Sequence, residues 1–198
     1  MMSKNTNRRR VLQRPVLNLV LAAAALVLLA ACSPKAERRT FGTFIDDQAA
    51  EVKIHDVLYA RPEFDDRDHI KVEAHNETLL LAGEVSSEKK KQTAGELALE
   101  LKAISRVVNE LAVMPPQDTS GKLHNSYITS KVNTKLLTSN PIEGLDSSRI
   151  KVITARGTVY LMGTVSRAEG DAVAEVARTT GGVEKVVKVF DYTDYKSR

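Results

Sequence analysis

The 198-residue chain has no tryptophan, few other aromatic residues and a single cysteine, Cys32. One cysteine cannot form an internal disulfide, so any folded part must be stable by packing alone. Few aromatic rings also disfavour a polysaccharide-binding surface.

No apolar run reaches the ~20 residues that a transmembrane helix needs. The longest run, Val16 to Ala31, is interrupted only by Asn18. It follows a segment that has no acid and five bases, which are Lys4, Arg8, Arg9, Arg10 and Arg14. A basic start, a short apolar run and small residues at its end are typical of a secretory signal. We predict that residues 1–31 are a signal peptide.

The end of that run, Leu29-Ala30-Ala31-Cys32, resembles the bacterial lipobox. In a lipobox the cysteine sulfur receives a diacylglycerol, and cleavage leaves that cysteine as the acylated N-terminus. The resemblance predicts lipidation of Cys32, with fatty acid chains such as palmitate holding the protein in a membrane. Ser33 stands where aspartate would signal retention in the inner membrane, so the implied location is the inner leaflet of the outer membrane, facing the periplasm. An ordinary cleavage site with an incidental cysteine is the alternative.

Positive charge is not in excess once the signal is set aside. The signal holds five of the 29 Lys and Arg and none of the 25 Asp and Glu, which leaves the remainder with a net charge of −1. That balance does not support a nucleic-acid binder. The four histidines, at positions 55, 69, 75 and 124, show no metal-ligand or triad spacing, and we interpret them as surface residues. We predict no enzyme activity, catalytic residue, cofactor or metal site.

An internal repeat organises the rest of the chain. Ile70-Lys71-Val72 recurs as Ile150-Lys151-Val152, an offset of 80 residues. The same offset matches Leu81, Gly83, Val85 and Ser86 with Leu161, Gly163, Val165 and Ser166. Before these segments the two copies align with an offset of 78 residues. After them the second copy is one residue shorter, so the offset becomes 79. The chain therefore carries two copies of one module.

Each copy has the pattern helix, strand, strand, helix, strand. In the second copy Asn125 or Ser126 is predicted to cap a helix that stops near Asn140-Pro141. A hairpin is predicted next, with strands over 150–153 and 158–165 and a turn at Arg156-Gly157. A helix over 168–179, stopped by Gly181-Gly182, and a strand over 183–192 complete the second copy. In the first copy we predict helices over 49–60 and 88–103 and strands over 70–75, 78–85 and 107–113. The predicted fold class is α+β, with two helices on a three-stranded mixed sheet in each module.

The predicted boundaries follow from this pattern. They are a tether over 32–45, a first module over 46–113, a linker over 114–123 that begins Met114-Pro115-Pro116, and a second module over 124–192. Modules of about 70 residues are near the lower size limit for a stable core, so we expect the two to pack together. Gly83 and Gly163 are predicted to be structural, because single glycines on strands mark close backbone packing or a bulge. Asp46-Asp47 is interpreted as a helix cap, and Asn76-Glu77-Thr78 as a hairpin turn.

Two segments resemble the BON domain of bacterial envelope proteins: Leu81-Ala82-Gly83-Glu84-Val85-Ser86 and Leu161-Met162-Gly163-Thr164-Val165-Ser166. The resemblance implies a non-catalytic protein that supports outer-membrane integrity. It also implies binding of anionic, phosphatidylglycerol-like phospholipid through the first helix of the second module, and association with the β-barrel assembly machinery. Tyr127 stands where the family pattern has tryptophan, which implies weaker insertion.

Charge supports a membrane role for the second copy only. Residues 46–113 carry a net charge of −6, whereas residues 124–198 carry +3. Tyr127, Lys131 and Lys135 recur every four residues beside the apolar stripe of the same helix, and with Thr134 and Leu137 they form the predicted phospholipid-binding set. The alternative assigns Tyr127 to the core and treats the lysines as solvated charge. A competing function is a protein-interaction module, in which the acidic first copy docks on a subunit of the assembly machinery and lipid contact is incidental.

Overall fold

The computed structural model describes residues 41–139 and 141–193. The predicted signal peptide, Cys32 and the first part of the tether lie outside the described residues. Within these ranges no helix combines the length and apolarity that crossing a bilayer requires. The elements, in chain order, are α1 (Phe41–Tyr59), β1 (His69–His75), β2 (Thr78–Val85), α2 (Glu88–Leu99), β3 (Arg106–Val113), α3 (Thr119–Ser139), a 3-10 turn (Ser147–Arg149), β4 (Lys151–Ala155), β5 (Thr158–Val165), α4 (Arg167–Arg178) and β6 (Lys185–Tyr192).

Each module contains a three-stranded mixed sheet. In the first sheet the central strand β2 pairs antiparallel with β1 and parallel with β3. In the second sheet β5 pairs in the same way with β4 and β6. The parallel pairs need a crossover connection, which α2 and α4 supply. The predicted α+β fold class is confirmed.

Both hairpin turns adopt the left-handed conformation that a tight two-residue turn requires. The φ angles are 49° at Asn76 and 63° at Glu77 in the first module, and 50° at Arg156 and 71° at Gly157 in the second. The turns predicted at these two places are confirmed.

The two sheets pack against each other. Leu79, Leu81 and Val85 on β2 point to the core beneath α1 and α2, whereas Leu80 and Ala82 point the other way. The residues on that second face form one cluster with residues of the other module: Leu80, Ala82, Ile153, Ala155, Tyr160, Met162 and Val189. The layers therefore run helices, sheet, sheet, helices. The two helix pairs form the opposite outer faces of the molecule.

Lysines at equivalent positions of the repeat join the edge strands β1 and β4. Lys71 donates its Nζ–H to the carbonyl oxygen of Thr154 at 2.7 Å, and Lys151 donates to the carbonyl oxygen of Ala74 at 3.1 Å. Lys151 also contacts Glu51 at 3.0 Å and Glu73 at 2.9 Å. Burial lowers the pKa of Lys71. Burial acts on Lys151 in the same direction, but the two carboxylates outweigh it and raise the pKa.

The helix α1 begins at Phe41, eight residues before the predicted start, so the last part of the predicted tether is helical. The interpretation of Asp46-Asp47 as a helix cap is wrong. Asp47 is buried on α1, and its carboxylate accepts hydrogen bonds from the backbone N–H of Asn76 at 2.8 Å and of Glu77 at 3.1 Å. It holds the hairpin turn of its own module.

The helix α3 begins at Thr119, and the prediction that Asn125 or Ser126 caps it is wrong. Asp118 does so, accepting a hydrogen bond from the N–H of Gly121 at 2.8 Å. Only residues 114–118 of the predicted linker lie outside a helix. Asn125 is buried and accepts a hydrogen bond from the N–H of Gly157 at 3.2 Å, which is the role of Asp47 in the first module.

The second helix of the first module is shorter than its sequence pattern predicts. The helix α2 ends at Leu99 rather than at residue 103. The helix α4 spans Arg167–Arg178, within one residue of the prediction at each end, and it ends before the two glycines predicted to follow it. Of these glycines, Gly182 has a φ of 98° and lies in the turn that leads to β6.

Candidate functional site

The helix α3 has one face in the core and an apolar stripe on the opposite face. Ile128, Val132 and Leu136 are buried beneath it. The exposed fractions on the outer face are 66% for Leu123, 60% for Tyr127 and 70% for Leu137. The exposed Ser130 and Thr134 complete the same stripe, since the five positions are spaced by four, three, four and three residues. Large apolar side chains aligned in this way on a surface helix are typical of a contact site.

Three predicted site residues, Tyr127, Thr134 and Leu137, lie on this outer stripe. Lys131 and Lys135 lie on its edge, next to α4. Leu123 was not among the predicted site residues because it falls within the predicted linker. Its spacing could have identified it, since Leu123 precedes Tyr127 by four residues and therefore lies on the same helical face.

The two lysines reach the C-terminal end of α4. Lys131 donates to the carbonyl oxygen of Gly181 at 2.7 Å, and its Nζ lies 5.3 Å from the ring centroid of Tyr127. Lys135 donates to the carbonyl oxygen of Thr179 at 2.9 Å and to its hydroxyl at 2.8 Å. Cations are stabilised there because helix C-termini carry partial negative charge. Lys131 therefore has a structural role beside any ligand role, and its three N–H donors are not all used by Gly181.

The helix α3 carries no acidic residue, and its bases are Lys122, Lys131 and Lys135. The corresponding helix α1 has four acids and only one base, Lys53. The net charge is therefore +3 for α3 and −3 for α1, with histidine taken as neutral. Of these two helices, α3 is the one whose outer face combines exposed apolar side chains with a positive charge suited to an anionic surface.

The glycines Gly83 and Gly163 allow the edge strands and the loops before them to approach closely. Both have positive φ, 116° and 151°. A Cβ at Gly83 would overlap the carbonyl oxygen of His69, and a Cβ at Gly163 would lie 2.6 Å from the carbonyl oxygen of Arg149. A larger residue at either position would therefore push the neighbouring backbone away.

The interpretation of the histidines as surface residues is wrong for His75, which is buried. His69 is half-buried and places its Nδ1 3.1 Å from a carboxylate oxygen of the buried Glu84. Arg156 of the second module lies 3.7 Å from the other oxygen of Glu84, so this cluster links the modules. Within the described ranges, no group of three or more His, Cys, Asp or Glu side chains is placed to hold a metal ion.

Comparison with known proteins identifies the family. The BON domain profile matches residues 46–115 and 124–194. The chain therefore belongs to the BON domain family and carries two copies of the domain. The second match contains most of α3, and the first contains most of α1.

Several curated proteins are similar over most of their length. The chain is 32% identical to the outer membrane lipoprotein DolP of Haemophilus influenzae, over 79% of each chain. It is also 32% identical to the 21 kDa hemolysin of Actinobacillus pleuropneumoniae, over 78% of each chain. It is 29% identical to the osmotically-inducible protein Y of Escherichia coli, over 73% of this chain and 72% of the relative.

Proposed function

We propose that the protein is an outer-membrane lipoprotein that faces the periplasm, supports outer-membrane integrity and contacts anionic phospholipid through the outer face of α3. The observation that carries this proposal is the stripe of Leu123, Tyr127 and Leu137 on a helix without acidic residues. The similarity to an outer membrane lipoprotein supports the location. It agrees with the lipobox-like sequence at Cys32.

The free energy that the α3 contact can contribute to membrane binding is small compared with that of the acyl chains. A lysine near an anionic membrane surface contributes about 1 kcal/mol. A leucine or an aromatic side chain contributes up to about 1.5–3 kcal/mol when it is fully buried. Each acyl methylene contributes about 0.8 kcal/mol, so the chains on Cys32 would dominate the affinity. The helix α3 would then orient the protein and select anionic lipid.

Vesicle binding by the unlipidated chain from Ser33 onward tests the lipid contact. We expect co-sedimentation with phosphatidylglycerol vesicles that weakens as salt rises, and little binding to phosphatidylcholine vesicles. Leu137→Asp and Lys122→Glu should each weaken binding at least threefold, because both side chains are exposed and hold no part of the core. Lys131→Glu is a poorer probe, since it also removes the contact with Gly181.

The matched control for Leu137→Asp is Leu99→Asp at the end of α2, where the leucine is similarly exposed. It should leave vesicle binding unchanged. Equal loss of binding in the two variants would contradict a contact specific to α3. Lipidation has its own test: Cys32→Ala should move the protein from the membrane to the soluble fraction of cells, and continued membrane retention would argue against the anchor.

The alternative function is docking of the first module on a protein, for which the β-barrel assembly machinery is the candidate. The observation in its favour is the net charge of −6 on residues 46–113, which does not suit an anionic membrane. Photocrosslinking in intact cells from Val52 on α1, compared with Tyr127 on α3, separates the two functions. Protein adducts from Val52 together with lipid adducts from Tyr127 would support both; protein adducts from Tyr127 would argue against a lipid-facing α3.

A further inference from the structure

The outer face of α1 carries a second apolar surface. Ile45 and Val52 are 48% and 62% exposed, and the small Ala49 lies between them. A continuous depression runs along this face, lined by Ile45, Gln48, Ala49, Val52, Lys53, Asp56 and Val57. The same helix buries Ile54 and Leu58 in the core, so the depression points away from the module.

The spacing of the lining residues fits a partner helix. In helix packing of the coiled-coil type, each side chain of one helix enters a hole formed by four residues of the other. Residues 45, 48, 49 and 52 have the i, i+3, i+4, i+7 spacing of one such hole, and residues 49, 52, 53 and 56 form the next. Ala49 and Val52 belong to both holes. The depression can therefore receive two successive side chains of a partner helix.

The charge of α1 defines the partner further. Asp46 and Asp56 are exposed at or beside the depression, which Lys53 also lines, and residues 46–113 as a whole carry a net charge of −6. An anionic membrane surface would be repelled, and so would the α1 face of a second copy. A helix with lysine or arginine beside its apolar stripe would be attracted, because charge complementarity selects partners and speeds their association.

We propose that the outer face of α1 is a docking site for a basic amphipathic helix of another protein. This names the surface and the chemistry of the partner, which the docking alternative above leaves open, and it does not depend on lipid contact by α3. The helix pairs form opposite outer faces of the molecule, so α1 remains accessible when α3 faces the bilayer. The two contacts can therefore exist at the same time.

The site also lies close to the membrane, a point that depends on the lipidation of Cys32. Eight residues separate Cys32 from Phe41, and a fully extended segment of that length spans at most about 30 Å. The partner helix would then belong to a protein at the periplasmic side of the same membrane. Two holes are a small interface, so we expect weak binding that the shared membrane strengthens by raising the local concentration.

Two labelled peptides serve as probes. One is helical with leucine at the a and d heptad positions and lysine elsewhere, and the other has glutamate in place of lysine. Fluorescence anisotropy with the chain from Ser33 onward should give at least tenfold tighter binding of the lysine peptide. Val52→Asp should weaken that binding at least tenfold and Asp56→Lys at least threefold. The matched control Leu99→Asp should change it less than twofold.

Three results would overturn the proposal. Equal binding of the lysine peptide to the wild type and to Val52→Asp would reduce the contact to unspecific charge attraction. Loss of phosphatidylglycerol vesicle binding in Val52→Asp would assign the face to the membrane. Oligomers in sedimentation analysis that dissociate in Val52→Asp would assign it to a second copy, whose α3 carries the opposite charge. Failure of the α3 proposal is separate, because it appears as unchanged vesicle binding in Leu137→Asp.

Discussion

The two modules share one fold but differ in charge at equivalent positions. Their first helices, α1 and α3, differ by six units of net charge, yet each supplies a residue that holds the hairpin turn of its own module. Asp47 does this with a carboxylate and Asn125 with a neutral amide. The repeat therefore preserves the position of the hydrogen bond and leaves the charge free to change.

The start of the second helix, α2 or α4, also differs between the modules: each has an acid–base pair there, but the acid and the base exchange places. In the first module the N–H of Ser86 donates to Asp68, a loop residue that pairs with Lys90 on α2 at 2.6 Å. In the second module the N–H of Ser166 donates to Glu169 on α4, which pairs with Arg149 before β4 at 3.1 Å. The acid lies in the loop in one module and on the helix in the other.

These exchanges explain how two similar modules acquire different surfaces. Hydrogen bonds of the backbone must be satisfied in both, but either a charged or a neutral side chain can satisfy them. The first module concentrates acids on α1, two of which serve the turn and the contact with Lys151. The second module leaves α3 without acids, and its exposed face can approach an anionic surface.

The largest loss of stability is expected from Gly83→Ala. Compared with Gly163→Ala, it tests whether the equivalent glycines of the two modules are equally important. It should lower the free energy of unfolding by about 3 kcal/mol or more, because of the positive φ and the overlap with the backbone at His69. Gly163→Ala should cost less, since its Cβ meets the neighbouring oxygen at a longer distance. Urea denaturation measures both.

Gly121→Ala is the control for the glycine comparison. This residue lies in the first turn of α3, and its near neighbour is the flexible side chain of Gln117. The variant should remain within about 1 kcal/mol of the wild type. An equal stability of Gly83→Ala and Gly121→Ala would show that the strand can move to accept a side chain.

The next effect concerns Asp68, whose side chain is fully buried. Burial alone would raise its pKa, but the hydrogen bonds from Lys90, Asp65 and Ser86 outweigh burial and lower it. Asp68→Asn should lower the free energy of unfolding by about 3 kcal/mol, because Lys90 would lose its buried partner. Asp171→Asn, which removes an exposed pair with Lys188, should cost less than about 1 kcal/mol.

The lowered pKa of Asp68 sets the direction of its pH dependence. Its contribution is fully present above the ordinary carboxyl value of about 3.9 and is lost as pH falls toward the lowered folded value. The destabilisation caused by Asp68→Asn should therefore shrink in that acidic range when unfolding is followed by circular dichroism. A constant difference at all pH values would contradict the role of the ionised carboxylate.

A smaller difference in stability is expected between variants of the two edge-strand lysines, Lys71 and Lys151. Lys151→Met should lower the free energy of unfolding by about 2 kcal/mol, because Glu51 and Glu73 lose their shared partner. Lys71→Met should be neutral or stabilising, since Lys71 has a carbonyl partner and its pKa is lowered by burial. Equal losses in the two variants would indicate that the edges contribute symmetrically.

The two lysines should also differ in how their contributions to stability change at alkaline pH. The raised pKa of Lys151 means that its contribution is present below the ordinary value of about 10.4 and is lost as pH rises through the folded value. The lowered pKa of Lys71 means that its charge costs stability at neutral pH, and this cost disappears as pH rises past the ordinary value. The two variants should therefore change in opposite directions relative to the wild type.

The smallest effect is expected from Tyr127→Trp on α3. Tryptophan buries more apolar surface at a membrane interface, so phosphatidylglycerol vesicles should bind about threefold more tightly. Tyr59→Trp on α1 is the control in the other module and should give no gain. Equal gains from the two variants would show that the modules do not differ in their approach to lipid.

The repeat and the hairpins could be predicted because local sequence determines them. Alternating apolar residues and the turn at Arg156-Gly157 place β4 and β5 within a residue or two of the observed strands. The starts of α1 and α3 could not be predicted in this way. Gly121 and the prolines before it suggested a linker, and Asn125 looked like a cap because its buried partner, Gly157, is distant in sequence.

The candidate site was predictable in part for the same reason. Tyr127, Thr134 and Leu137 share a helical face by spacing alone, and the structure adds Leu123 once α3 is extended. The contacts of Lys131 and Lys135 with the end of α4 could not be predicted, because they join residues 50 and 44 positions apart and depend on how the two helices pack on one sheet.

The sequence by itself determined the module, its duplication and the opposite charges of the two copies, because periodicity and composition are local properties. Tertiary structure decided which surfaces remain free. The continuous apolar run Leu79-Leu80-Leu81-Ala82 indicates a strand covered on both faces, but not that the other module covers one of them. Packing of the two sheets buries those faces and leaves the outer faces of α1 and α3 exposed on opposite sides. That arrangement is the physical basis of the two proposals, a membrane-facing α3 and a protein-docking α1.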